Sequence, residues 1–100
     1  MQNSRRSERK SLLAEVEFET AGVRLKAYIK NIGTLGVFIE TDSPISVGVH
    51  LRLRFILPTG PVIETQGVVA HRQTGSGMGV AFISIGAQEV KHIKEFIDAG

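Results

Sequence analysis

Cysteine and tryptophan are absent from the chain, and its 100 residues include only one tyrosine and five phenylalanines. Without cysteine there are no disulfides and no thiolate metal sites, and a reducing cytoplasm is the natural setting. No apolar run approaches the roughly 20 residues of a membrane span. The polar, arginine-rich N-terminus has no apolar stretch of the kind a signal peptide carries. Catalytic signatures are missing too. None of the seven serines lies in a Gly-x-Ser-x-Gly elbow. His50, His71 and His92 are far apart and lack metal-ligand spacing, so exposed histidines without a functional role are expected. The expectation is a non-enzymatic protein with no catalytic residue, no metal and no cofactor.

One hundred residues suit a single domain, which at that size buries roughly two-thirds of its unfolded surface. The hydrophobic share of 42% and charged share of 22% are ordinary for a globular protein. The net charge of +2 is unevenly spread. Residues 1–10 hold Arg5, Arg6, Arg9 and Lys10 against Glu8, a balance of +3. The remaining ninety hold eight basic and nine acidic residues, a balance of −1. A basic arm on a nearly neutral body points to an anionic partner met by that arm. The competing account is a solvated tail.

Period-2 alternation dominates the middle of the chain and predicts strands with one buried face. Ala14, Val16 and Phe18 alternate with Glu15, Glu17 and Glu19. Val23, Leu25, Ala27 and Ile29 alternate with Arg24, Lys26, Tyr28 and Lys30. Val37–Ile39 is a short apolar run. Leu51, Leu53, Phe55 and Leu57 form the buried side of a fourth strand, and residues 62–72 a fifth, with a bulge or bend expected at Gly67. Met78, Val80 and Phe82 alternate in a sixth. Turn signals separate them: Ala21-Gly22, Asp42-Ser43-Pro44, Pro58-Thr59-Gly60-Pro61 and Thr74-Gly75-Ser76-Gly77. Such spacing predicts a small antiparallel six-stranded barrel or a sandwich, and a closed barrel removes exposed edges. Val90, Ile93, Phe96 and Ile97 then switch to helical spacing. Gly86 is placed to cap that helix, with Glu89 in its first turn. The layout divides the chain into a flexible basic arm, residues 1–11, and a barrel with a C-terminal helix, residues 12–100. Its complete pattern favours a stand-alone protein.

Two segments stand out together. Arg5-Arg6-Ser7-Glu8-Arg9 contains an Arg-x-x-x-Arg spacing, and Asn31-Ile32-Gly33-Thr34-Leu35-Gly36 follows a strand. In order and separation they resemble the two signatures of the PilZ domain family, R-x-x-x-R and [D/N]-x-S-x-x-G. The resemblance covers nearly the whole chain, including Val37-Phe38-Ile39 and Met78-Gly79-Val80-Ala81-Phe82. It implies a mainly β fold, the PilZ-like barrel. It also implies a cytoplasmic receptor for the bacterial second messenger cyclic di-GMP that changes conformation to regulate a protein partner in motility, pilus, surface or exopolysaccharide behaviour. Arg5, Arg6, Arg9, Asn31, Gly33 and Gly36 are the ligand-binding positions it implies. Guanidinium forks grip phosphate bidentately, stack on aromatic planes and match the O6/N7 edge of guanine. Asn31 offers a donor and an acceptor for a base edge.

This chain departs from the pattern at Gly33, where the family has serine. A lost neutral hydrogen bond costs about 1 kcal/mol, and up to about 3 if its partner stays unpaired. A turn requirement for positive φ would give Gly33 a purely structural reason. The alternative is therefore a degenerate PilZ domain that serves as a protein-interaction module without nucleotide. A third reading, an RNA- or DNA-binding barrel, draws on Arg24, Lys26, Arg52 and Arg54. The scarce aromatics and the acidic body oppose it, so no nucleic-acid polymer and no membrane insertion are expected.

Overall fold

Six strands account for most of the chain, and a computed structural model describes residues 9–99. They are β1 (Lys10–Thr20), β2 (Val23–Ile32), β3 (Gly36–Glu40), β4 (His50–Ile56), β5 (Val62–Gln73) and β6 (Gly77–Ile83). They close a barrel in the order β1-β2-β3-β6-β5-β4, every pairing antiparallel. A single helix, α1 (Ala87–Asp98), follows. No helix among the described residues is long and apolar enough to cross a membrane.

The alternation in the sequence maps onto the barrel wall. Val16, Ile29, Ile39, Leu51, Leu53, Phe55, Ile63, Val69, Met78 and Val80 point inward and are buried, and their polar neighbours point out. Truncating one such side chain, Phe55 for example, costs about 3–5 kcal/mol in a packed interior. The helix adds Ile93 and Phe96 to the same core. Gly86 is its extended N-cap residue and makes no side-chain cap, and Glu89 supplies the acidic group of the first turn. The last turn of α1 holds no basic residue. The cation comes from β1 instead. Lys10 Nζ donates to the Phe96 carbonyl at 3.0 Å and lies 4.5 Å from the centre of the Phe96 ring. That contact satisfies a helix-end carbonyl and complements the helix dipole.

Several details differ from the alternation alone. Val23 and Leu25 are exposed at 52% and 38%. β3 pairs with β2 only from Tyr28 onward, so the β1–β2 hairpin tip projects past its neighbour and its inner face is left uncovered. The bulge in β5 falls between Val69 and His71, not at Gly67. Gly67 serves another purpose, because a Cβ there would meet the Ala81 carbonyl oxygen at 2.9 Å. Lys10 and Ser11, assigned from sequence to the arm, pair with Ile32 and Asn31 in the β1–β2 ladder. Asn31 belongs to β2 and does not follow it. His92 is half-buried on α1, with Nδ1 lacking a hydrogen-bond partner and 3.8 Å from Glu95 Oε1.

Candidate functional site

Two of the concavities on the barrel's outer surface differ in chemistry. The larger, about 570 Å³, lies over β1, β4 and β5 and is lined by Glu17, Glu19, Arg24, Arg52, Arg54 and Glu64. Its charges are matched. Glu17 pairs across strands with Lys26 and Arg54, and Glu19 with Arg24 and Arg52. Arg54 Nε donates to Glu64 Oε2 at 3.0 Å, and Arg24 lies 3.8 Å from Glu19. Arg24 and Arg54 are thus paired with neighbouring carboxylates, and Lys26 and Arg52 sit opposite Glu17 and Glu19 in the ladder.

The smaller groove, about 410 Å³, runs along β6 between β3 and β5. Its floor is set by sequence. In β6, Met78 and Val80 point inward and are buried, which turns Gly77, Gly79 and Ala81 outward. The outer positions of β6 therefore carry no side chain larger than a methyl group, and the rings of Phe38 and His71 lie over Gly77 and Gly79. The glycines are required by their neighbours. A Cβ on Gly36 would collide with the Val80 carbonyl oxygen, and one on Gly77 with the Ile39 carbonyl oxygen.

Arg9 lines this groove with Leu35, Gly36, His71 and Gly79. Its Nε donates to Asn31 Oδ1 at 2.7 Å, a short charge-assisted bond. That bond uses one N–H of the fork and orients the rest of the guanidinium. Partial burial lowers the Arg9 pKa below its ordinary value, and arginine keeps its charge at neutral pH nonetheless. A partly desolvated cation oriented at this groove is suited to an anion.

The structure thus brings Arg9, Asn31 and Gly36 to one place. Gly33 is buried in the β2–β3 turn, where its N–H donates to the Gly36 carbonyl at 2.9 Å. It is not among the glycines with positive φ, so left-handed backbone does not account for it. Arg5 and Arg6 lie outside the described residues.

Sequence reasoning overlooked the floor and one wall. Gly77 was read as the end of a turn, whereas the turn ends at Ser76 and Gly77 opens β6. The period-2 run Gly77, Gly79, Ala81 was the available signal. His71 was set aside as one exposed histidine among three. It pairs with Gly79 across the β5–β6 ladder, and its ring faces Phe38.

Residues 3–99 match the family model of the PilZ domain. The chain belongs to the PilZ domain family. Solved structures agree on the PilZ fold. The inhibitor of motility MotI/DgrA from Bacillus subtilis superposes with a TM-score of 0.85 at 19% identity, over 97% of this chain and 51% of that one. The PilZ domain of YcgR from Escherichia coli, solved with c-di-GMP, gives 0.78 at 13% identity, over 97% of this chain and 91% of that one. PlzA of Borreliella burgdorferi, in complex with c-di-GMP, gives 0.70 at 18% identity, over 95% and 41%. This PilZ chain spans about half the length of the Bacillus inhibitor. No curated protein matches it. Among the described residues of this PilZ domain, no cluster of three or more acidic or histidine side chains is arranged to hold a metal ion.

Proposed function

We propose that this PilZ domain is a receptor for cyclic di-GMP, acting in the cytoplasm without catalysis, and that the β6 groove is its binding site. The observation that carries the reading is the Arg9–Asn31 bond at the β6 groove. Arg9 grips a phosphodiester or a guanine edge, Asn31 holds Arg9 in place, and Gly36 lines the groove beside them. Arg5 and Arg6 supply further cations from the basic arm that precedes β1. Closure of that arm on the ligand alters the surface offered to a protein partner, which is how a domain without catalysis signals. The motility inhibitor and the ligand-bound neighbours support this reading through their shared fold.

Titration calorimetry with cyclic di-GMP, and GTP as control, tests it. Wild type binds, and Arg9→Ala binds about 10- to 150-fold more weakly, the equivalent of one charge-assisted hydrogen bond. No wild-type binding at high micromolar ligand overturns the reading.

A second reading, a degenerate domain that only docks proteins, is favoured by one observation: position 33 has no hydroxyl. Gly33→Ser separates the two. Binding that appears only in the serine variant supports degeneracy. Measurable binding that is unchanged by the substitution refutes it.

A further inference from the structure

β2 is longer than the strand beside it. Its residues Val23–Ala27 pair with β1 on one side, and β3 joins the other side only at Tyr28. An antiparallel strand points alternate N–H and C=O groups to each flank. Among the described residues, no strand or backbone hydrogen bond meets the outer flank of Val23–Ala27. The sequence breaks the missing pairing off. In the register set by Tyr28 and Glu40, β3 would bring Asp42 opposite Lys26 and Pro44 opposite Arg24. Pro44 has no N–H to donate to a ladder. The Thr41 N–H donates instead to the Ser76 carbonyl at 3.2 Å, which draws the chain away from β2. The open stretch has two faces. Val23 and Leu25 lie on the inner one and Arg24 and Lys26 on the outer one, and all four are exposed. Charge alternates in sign across this wall. Arg52 and Arg54 on β4 face Glu19 and Glu17 on β1, and these face Arg24 and Lys26 on β2. Each carboxylate is thus shared by two cations. Arg54 has a second acid in Glu64. Arg24 approaches only Glu19, at 3.8 Å, and Lys26 is in no ion pair among the described residues. By this alternation the next strand is acidic, and where β3 is present its Glu40 lies beside Tyr28.

We propose that the open edge of β2 at Val23–Ala27 docks an extended segment of a partner protein, one that alternates apolar and acidic residues and adds to the sheet as a further strand. Main-chain hydrogen bonds hold such a strand, and alternate side chains select it. Its apolar residues cover Val23 and Leu25. Its acidic residues stand opposite Arg24 and Lys26 and supply the carboxylates that β1 alone provides too sparingly. A second copy of this chain is the wrong occupant. Any antiparallel register that keeps Val23 and Leu25 on the covered face sets Arg24 and Lys26 of one copy against the same cations of the other. Like charges directly opposite are destabilising, and basic side chains on an edge strand guard it against self-pairing. The first residues of this chain also have the wrong sign, with Arg5 and Arg6 against Glu8. The β6 groove takes no part in this docking, so the inference does not rest on the receptor reading.

The probes are two short capped peptides, one alternating valine with glutamate and one alternating valine with lysine. Each is titrated into the full chain without cyclic di-GMP while the backbone amides are followed by NMR. The glutamate peptide binds, shifts the amides of Val23–Ala27 and slows their hydrogen exchange at saturation. The lysine peptide does neither. The double variant Arg24→Gln, Lys26→Gln weakens binding of the glutamate peptide by about 2- to 30-fold, as the loss of two exposed charge pairs does. High salt weakens binding to wild type and changes the double variant less. Leu25→Asp puts a charge on the covered face and weakens binding further, with a melt and an amide spectrum to confirm that the barrel persists. The glutamine variant, altered only at exposed side chains, keeps the test decisive if Leu25→Asp does not fold. No binding of the glutamate peptide overturns the proposal. Equal binding of both peptides, shifts confined to another surface, or unchanged affinity in the double variant overturn it too. A concentration-dependent dimer that protects the same amides overturns it in favour of a second copy. None of these outcomes alters the cyclic di-GMP titration, which judges the receptor reading separately.

Discussion

The two flanks of the barrel handle charge in opposite ways. On the β2–β1–β4 flank, Arg24, Lys26, Arg52 and Arg54 each face Glu17 or Glu19 across a strand. On the β3–β6–β5 flank, the outer positions of β6 are Gly77, Gly79 and Ala81, and Arg9 is tied to a neutral asparagine. The first flank has the larger concavity and more charge, yet acids and bases alternate across it and Arg24 and Arg54 are ion-paired. The second has a smaller groove and a cation paired with no carboxylate among the described residues. Exposed ion pairs of the first kind contribute little to stability and little to recognition. A guanidinium held by a neutral partner is better placed to attract an anion than one already paired with a carboxylate.

That contrast is broken most severely at Gly36. A methyl group there collides with backbone, not with a side chain that can rotate away. Gly36→Ala is expected to lose about 2–3 kcal/mol in urea unfolding, as overpacking of a fixed frame does. An unchanged midpoint would show that β3 and β6 separate easily and that the floor is soft. The next largest effect is on ligand binding. Arg9→Ala should weaken cyclic di-GMP binding by about 10-fold or more, whereas Arg54→Ala should leave it within about twofold. Equal losses in calorimetry would erase the distinction between the flanks. Lys10→Met removes the donor to the Phe96 carbonyl and the cation over its ring. About 1 kcal/mol is expected, seen as a melting temperature lower by about 4–8 °C. The smallest effect belongs to the charged flank. A double-mutant cycle on Arg54 and Glu64 should return about 0.2–1 kcal/mol, diminishing in high salt. A larger, salt-insensitive coupling would mean those charges are not simply solvated.

How much of this was legible in the sequence depended on range. Buried alternation in Leu51–Phe55 and Met78–Val80 reports a local fact, the two-residue period of a strand, so it survived folding. Helical spacing in α1 did so for the same reason. Val23 and Leu25 misled because alternation says which face a side chain is on and not whether anything covers that face. That depends on the length of β3, which is only five residues. Within the site, Arg9 and Asn31 were accessible through motif spacing. The His71–Phe38 wall was not. It joins residues 33 positions apart through a glycine on a third strand, and it exists only once β6 lies between β3 and β5. Gly79 is also ambiguous when read alone, since a turn and a ring seat call for the same residue.

Arg9 and Lys10 are consecutive, yet they serve opposite ends of the design. One is bonded to Asn31 at the groove, and the other clamps the last turn of α1. A planar trans peptide fixes their Cα atoms at about 3.8 Å. Extended backbone sends successive side chains to opposite sides. The start of β1 is thus a short lever, with the groove on one arm and the helix on the other. A shift of the backbone at this point carries both side chains with it, whereas rotation of either long side chain alone leaves the other contact in place.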